Sequence, residues 1–143
     1  MELLLICVCA WAIAQAVKVI LFKINENRFD WRLFFGTGGM PSAHSATVCA
    51  LATGVGLSYG FNSVLFDITT ILAAIVMYDA AGVRRAVSRQ ATILNRLTRE
   101  LREKYPRERV EKELRELWGH TPFQVFIGGM IGISVAILWL KVF

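Results

Sequence analysis

The sequence predicts an all-α integral membrane helical bundle of about four transmembrane helices with a cytoplasmic helical hairpin. Three observations carry this. Hydrophobic residues make up 55% of the 143 residues, above the roughly 45–50% of a soluble domain, and they fall in blocks rather than alternating. Two of these blocks, residues 3–22 and 123–142, are each twenty residues long, enough to cross about 30 Å of hydrocarbon. The formal net charge of +5 is lopsided: residues 84–117 hold eleven bases and six acids, so the rest of the chain sums to zero. The length fits a single membrane domain, 1–143. Disorder, a collagen-like chain and a disulfide scaffold are excluded. The basic excess alone would suit nucleic acid, but long apolar runs flank it, so the expected surrounding is the bilayer, with no nucleic acid.

Residues 3–22 have only Gln15 and Lys18 as strongly polar interruptions. No basic segment precedes them, and Lys18 and Lys23 stand where a signal peptide would be cleaved, so they read as a span. Residues 43–83 are apolar but broken at Ser58–Tyr59–Gly60–Phe61–Asn62–Ser63. Gly and Asn there form turns, giving two spans, about 43–60 and 64–83, joined by a tight hairpin. Asp67 then belongs near the outer water interface. Residues 123–142 form the last span. Fourteen bases follow the first and third spans and only Lys141 lies at the other side. By the positive-inside rule, both termini are outside and residues 23–42 and 80–121 are in the cytoplasm of a cell whose inner membrane holds the chain.

Between the third and last spans lies a cytoplasmic insertion, about 84–118. Ile93, Leu94, Leu97 and Leu101 recur at helical spacing on a charged helix. Pro106 fits the first turn of a second helix bearing Val110, Leu114 and Leu117, with Glu108–Lys112 and Glu111–Arg115 as supporting i,i+4 pairs. The insertion reads as a solvated helical hairpin whose basic face also suits anionic headgroups. Cys7, Cys9 and Cys49 lie in apolar spans and read as packing residues. Ala50-x3-Gly54 and Gly128-x3-Gly132 allow close helix approach in lipid, for packing within the chain ahead of a homo-oligomer.

Once the spans are set aside, the unexplained polar residues converge on one side of the membrane. They are Lys18, Arg32, the run Gly38–Gly39–Met40–Pro41–Ser42–Ala43–His44–Ser45, then Asp79, Arg84, Arg85 and Gly119–His120–Thr121–Pro122. The chain's two histidines both stand at predicted cytoplasmic helix ends. Gly38–Gly39 lets backbone approach a ligand, and Pro41 suits the first turn of a helix beginning near Ser42. The N–H groups of that helix start make an anion seat. Arg32, Arg84 and Arg85 offer planar forks for phosphate oxygens and Lys18 a point charge. An imidazole beside such a cradle can attack phosphorus or protonate a leaving oxygen. No carboxylate cluster of the kind hard cations prefer occurs, so neither metal nor cofactor is required. The bland alternatives are a headgroup contact for either histidine, a snorkelling Lys18, a plain loop at 38–41 and an ion pair between Asp79 and Arg84 or Arg85.

Gly38-Gly39-Met40-Pro41-Ser42-Ala43-His44-Ser45-Ala46, Asp79-Ala80-Ala81-Gly82-Val83-Arg84-Arg85 and Gly119-His120-Thr121-Pro122 together resemble the divergent branch of the type 2 phosphatidic acid phosphatase family, which is related to the vanadium haloperoxidases. The likeness runs from about residue 18 to 132. It implies that His120 attacks phosphorus to form a phosphohistidine and that His44, in Pro41-Ser42-Ala43-His44, protonates the leaving alcohol. Arg84 or Arg85 would match the arginine of the third motif, and Lys18 and Arg32 the charges of the first. The chain departs from that pattern at Asn25, at the residue after Arg32, which is not Pro, and at Asn95, six residues after Arg89. Gln124 stands where the family has the carboxylate that orients the nucleophile, a role Asp79 is a candidate to fill. Replacing the analogous Asp by an amide in a serine protease triad costs about 10⁴ in rate.

The expected function is a metal-independent lipid phosphate or pyrophosphate phosphatase at the cytoplasmic membrane face. Its substrates would be phosphatidate, phosphatidylglycerophosphate or an isoprenyl phosphate or pyrophosphate. The alternative is a weak or inactive relative that binds phosphorylated headgroups, or a partner protein through residues 84–118. A transporter finds no support, as neither paired broken spans nor an inverted repeat is evident.

Overall fold

The computed structural model describes residues 2–26, 39–104 and 121–142, and within them all side chains but those of residues 25–26, 83–85, 87–88 and 102–104. The described residues form five helices and no strand: α1 (Glu2–Glu26), α2 (Ala43–Tyr59), α3 (Val64–Ala81), α4 (Val83–Lys104) and α5 (Pro122–Val142). The expected second helix of the insertion, with Pro106, Val110, Leu114 and Leu117, lies outside the described residues.

Three helices are long and apolar enough to cross a membrane: α1 over Glu2–Ile24, α3 and α5. The fold is therefore an α-helical membrane bundle. The remaining expected span, α2, is shorter at 17 residues, about 25 Å of helix. It packs against α1, α3 and α5. A helix so enclosed has little need of apolar side chains for lipid, and α2 is accordingly rich in Ala, Gly, Ser and Thr.

Contacts along α2 set the directions of its neighbours. Gly54 meets Leu3 and Ile6 of α1, while Gly39, just before α2, meets Lys18; the two helices are antiparallel. Gly128 lies against Ser42, and Gly132 against Ala46 and Ala50, so α5 runs parallel to α2. A Cβ at Gly128 or Gly132 would collide with the carbonyl oxygen of Ser42 or Ala46. The small-residue patterns are thus used for packing within the chain. The buried core is built to match, from Ile6, Ala10, Ala50 and Ala136 at one level and Ala14, Ala43 and Ala46 at another. In lipid, where no hydrophobic force drives helices together, such close approach supplies the packing energy. Large apolar side chains point outward instead, as with Ile68, Ile71, Leu72 and Ile75 of α3.

The hairpin between α2 and α3 is as tight as expected. Gly60 takes φ +91° and its N–H donates to the Gly56 carbonyl. Ser63 caps α3, its Oγ accepting the Phe66 N–H at 3.2 Å, and Phe61 packs edge-on to Phe66 with ring centroids 5.1 Å apart. Asp67 is exposed in the first turn of α3, at the bundle end where the sequence requires it. Cys49 Sγ donates to Met77 Sδ at 3.5 Å, tying α2 to α3. The third span ends earlier than expected, at Ala81 rather than residue 83, and only Gly82 separates it from α4.

Candidate functional site

The start of α2 is a buried helix terminus with a serine cap. Ser42 is its N-cap, with Oγ accepting from the Ser45 N–H at 3.3 Å and from the Ser45 hydroxyl at 3.0 Å. Both serines are completely buried. The expectation that Pro41 opens the helix is corrected here. Because Ser42 takes the cap, Pro41 precedes it, buried and joined to Met40 by a cis peptide. The anion seat expected from the first-turn amides is also narrower than anticipated, since the Ser45 N–H is already held by Ser42.

This terminus is tied to α5 by the Ser42 N–H, which donates to the Gln124 carbonyl at 3.1 Å. Gln124 has a local task that the sequence reading overlooked. Its Oε1 accepts the Thr121 N–H at 3.0 Å, and its own N–H donates to Thr121 Oγ1 at 3.3 Å. With Pro122 as the first helical residue, Thr121-x-x-Gln124 is a capping box. The signal was present: a threonine, a proline and a glutamine at the required spacing before an apolar run. The Gln124 side-chain oxygen accordingly serves the start of α5.

On the α1 side, Lys18 is only 4% exposed. Its stem runs under Gly39, where a Cβ would lie 3.5 Å from Lys18 Cγ and Cδ. Gly39 has φ +80°, a conformation that disfavours other residues. The snorkelling alternative for Lys18 therefore gives way to a lysine held inside the bundle. An ionisable residue enclosed within a membrane bundle is a candidate for a functional site. One turn earlier on α1, Gln15 is equally buried, and its Oε1 has no hydrogen-bond partner among the described residues. Sequence reading treated Gln15 only as an interruption of the span.

The remaining candidates are distributed as follows. His44 sits in the first turn of α2, half-buried with Nδ1 enclosed. Asp79 is half-buried two residues beyond Met77, towards the end of α3 that faces the start of α2. Arg84 and Arg85 begin α4, their side chains outside the description. Gly38, Arg32 and His120 lie outside the described residues, His120 directly preceding Thr121. Lys18, Gly39, Ser42, His44, Asp79 and Gln124 are thus brought to one end of the bundle, with Lys18 and Ser42 buried there. Such an end combines a helix N-terminus, a close-approach glycine and an enclosed amine, groups of the kind that hold anionic oxygens.

Comparison with known proteins agrees with the motifs. The Divergent PAP2 family matches residues 1–135. A similar protein is the uncharacterized membrane protein YuiD of Bacillus subtilis (strain 168), 42% identical over 134 residues, covering 87% of this chain and 85% of that one. No solved structure matches. The family match takes in four helices of the bundle and most of α5, together with every candidate residue, and the chain belongs to the divergent PAP2 family.

Proposed function

We propose that this protein is a metal-independent phosphatase of membrane lipid phosphates or pyrophosphates, working at the cytoplasmic headgroup level of the inner membrane. The observation that carries the reading is the enclosed Lys18 beneath Gly39, beside the capped start of α2 from which His44 projects. Family membership supplies the chemistry. A ring nitrogen of His120 attacks phosphorus as the bond to the leaving oxygen breaks, and His44 gives that oxygen its proton. Water, deprotonated by His44, then displaces the imidazole from phosphorus, releasing inorganic phosphate and restoring both histidines. Splitting the displacement into two steps is the advantage of a nucleophilic imidazole. Lys18, Arg32, Arg84 and Arg85 balance the phosphate charge, and Asp79 is the candidate to orient an imidazole. Phosphatidate, phosphatidylglycerophosphate and isoprenyl phosphates or pyrophosphates are the substrate class.

The test is phosphate release from a panel of these lipids by the purified protein in chelator, for wild type, His120→Ala and Gln124→Glu. Release by wild type and its loss in His120→Ala support the reading. Undiminished turnover in His120→Ala removes His120 as nucleophile.

One observation favours a second reading, in which the site binds phosphorylated headgroups without hydrolysis. Gln124 lacks the charge of a carboxylate and already accepts the Thr121 N–H. Tight binding of phosphatidate with no release over hours selects this reading. A large gain of release in Gln124→Glu selects the hydrolase.

A further inference from the structure

The proposed phosphatase uses α4 only at its first turn, through Arg84 and Arg85. This helix begins one residue after the membrane-crossing α3 ends and, among the described residues, packs against α3 alone. Its first turn therefore follows directly on the end of the apolar run of α3. Along it, Ile93, Leu94, Leu97 and Leu101 form one row at helical spacing, and they are 60%, 49%, 50% and 53% exposed. Residues 83–104 also carry seven bases against two acids. Arg89 and Arg96, both exposed, are seven residues apart and stand about a quarter turn from Leu97. Arg96 is held outward by an ion pair with Glu100 at 3.2 Å. Thr92 falls on the opposite side of the helix from the row.

We propose that α4 lies in the plane of the membrane surface, with Ile93, Leu94, Leu97 and Leu101 inserted at the boundary of headgroups and acyl chains and its arginines on anionic lipid phosphates. A helix with a strong apolar stripe, low net hydrophobicity and bases around the polar face has the make-up of an interfacial helix. Anionic lipid is favoured over a neutral surface by the charge excess. It is favoured over bulk water by the row itself, since four large apolar side chains in a line are seldom left in solvent. Continuity with α3 supplies the geometry, because the chain has no connector long enough to carry the first turns of α4 away from the interface. This inference is independent of whether the site turns over substrate.

Its test uses the full chain with Cys7, Cys9 and Cys49 replaced by alanine, a spin label at Leu97→Cys or at Thr92→Cys, and reconstitution in phosphatidylcholine vesicles with and without phosphatidylglycerol. With phosphatidylglycerol, the label at position 97 is expected to collide several-fold more with oxygen than with a water-soluble nickel chelate, and the label at position 92 to show the reverse. Arg89→Glu with Arg96→Glu is expected to move the label at position 97 towards the chelate, as is high salt. A position-97 label shielded from both reagents means that protein covers the row, whether residues 105–120 or another molecule, and overturns the proposal. Full access to the chelate in both vesicle types means a solvated helix and overturns it equally.

Discussion

Lys18 and Gln124 are the residues at which structure most changes the interpretation. A lysine near the end of an apolar span was equally compatible with snorkelling, because α1 is apolar on all sides and its sequence does not say which face turns inward. Burial beneath Gly39 decides it. Lys18→Met keeps the length of the stem and removes the charge, so phosphatidate binding is expected to fall at least about tenfold, the effect of losing one charged hydrogen bond. A lipid-binding titration measures the loss. For Gln124, two effects separate. Gln124→Ala removes the capping box and is expected to cost about 1 kcal/mol, whereas Gln124→Glu retains the cap and adds an acid favourable at a helix N-terminus. Equal melting temperatures for wild type and Gln124→Ala would show that the cap is not contributing. His44→Ala is expected to lower phosphate release by about 10² to 10⁴, the range for loss of a general acid.

At the scale of elements, the helices were legible because hydropathy runs and turn residues are local signals. The hairpin at Gly60 and the helical stripe on α4 follow from spacing, whereas the small-residue pattern of α5 signalled close packing without naming α2 as its partner. The start of α2 was less legible. Pro41 suits a first helical turn, but Ser42 is the better cap, and the cap displaces the proline outward. The partner of a capped terminus cannot be read from spacing either, so the bond from the Ser42 N–H to the Gln124 carbonyl was invisible beforehand. That joint makes a specific prediction. Gly128→Ala drives a Cβ into the Ser42 carbonyl and is expected to cost about 1–3 kcal/mol, as overpacking does, and to reduce headgroup binding because Ser42 must move. Gly129→Ala is expected to cost less, since its Cβ would sit 3.2 Å from Cys49 Sγ, a side chain that can rotate. Thermal unfolding of the two variants, side by side, checks the ordering.

For the whole molecule, the directions of the helices put the N-terminus of α1, the turn at Gly60 and the C-terminus of α5 at one end, and the candidate site at the other. The proposed sidedness rests on the fourteen bases that follow the first and third spans. A single cysteine at Asn62 is accordingly expected to react with an impermeant maleimide from outside intact cells, and one at Arg89 only after the membrane is opened. The proposed chemistry requires that His120, the residue before Thr121, attacks phosphorus while His44 serves the leaving oxygen. It is tested most directly by incubating the reconstituted protein with ³²P-phosphatidate, quenching in alkali and locating the label by mass spectrometry. An alkali-stable, acid-labile phosphoryl group is expected on His120 and is expected to be absent from His120→Ala. Phosphate release without such a group, or with its full rate kept in His120→Ala, would contradict it.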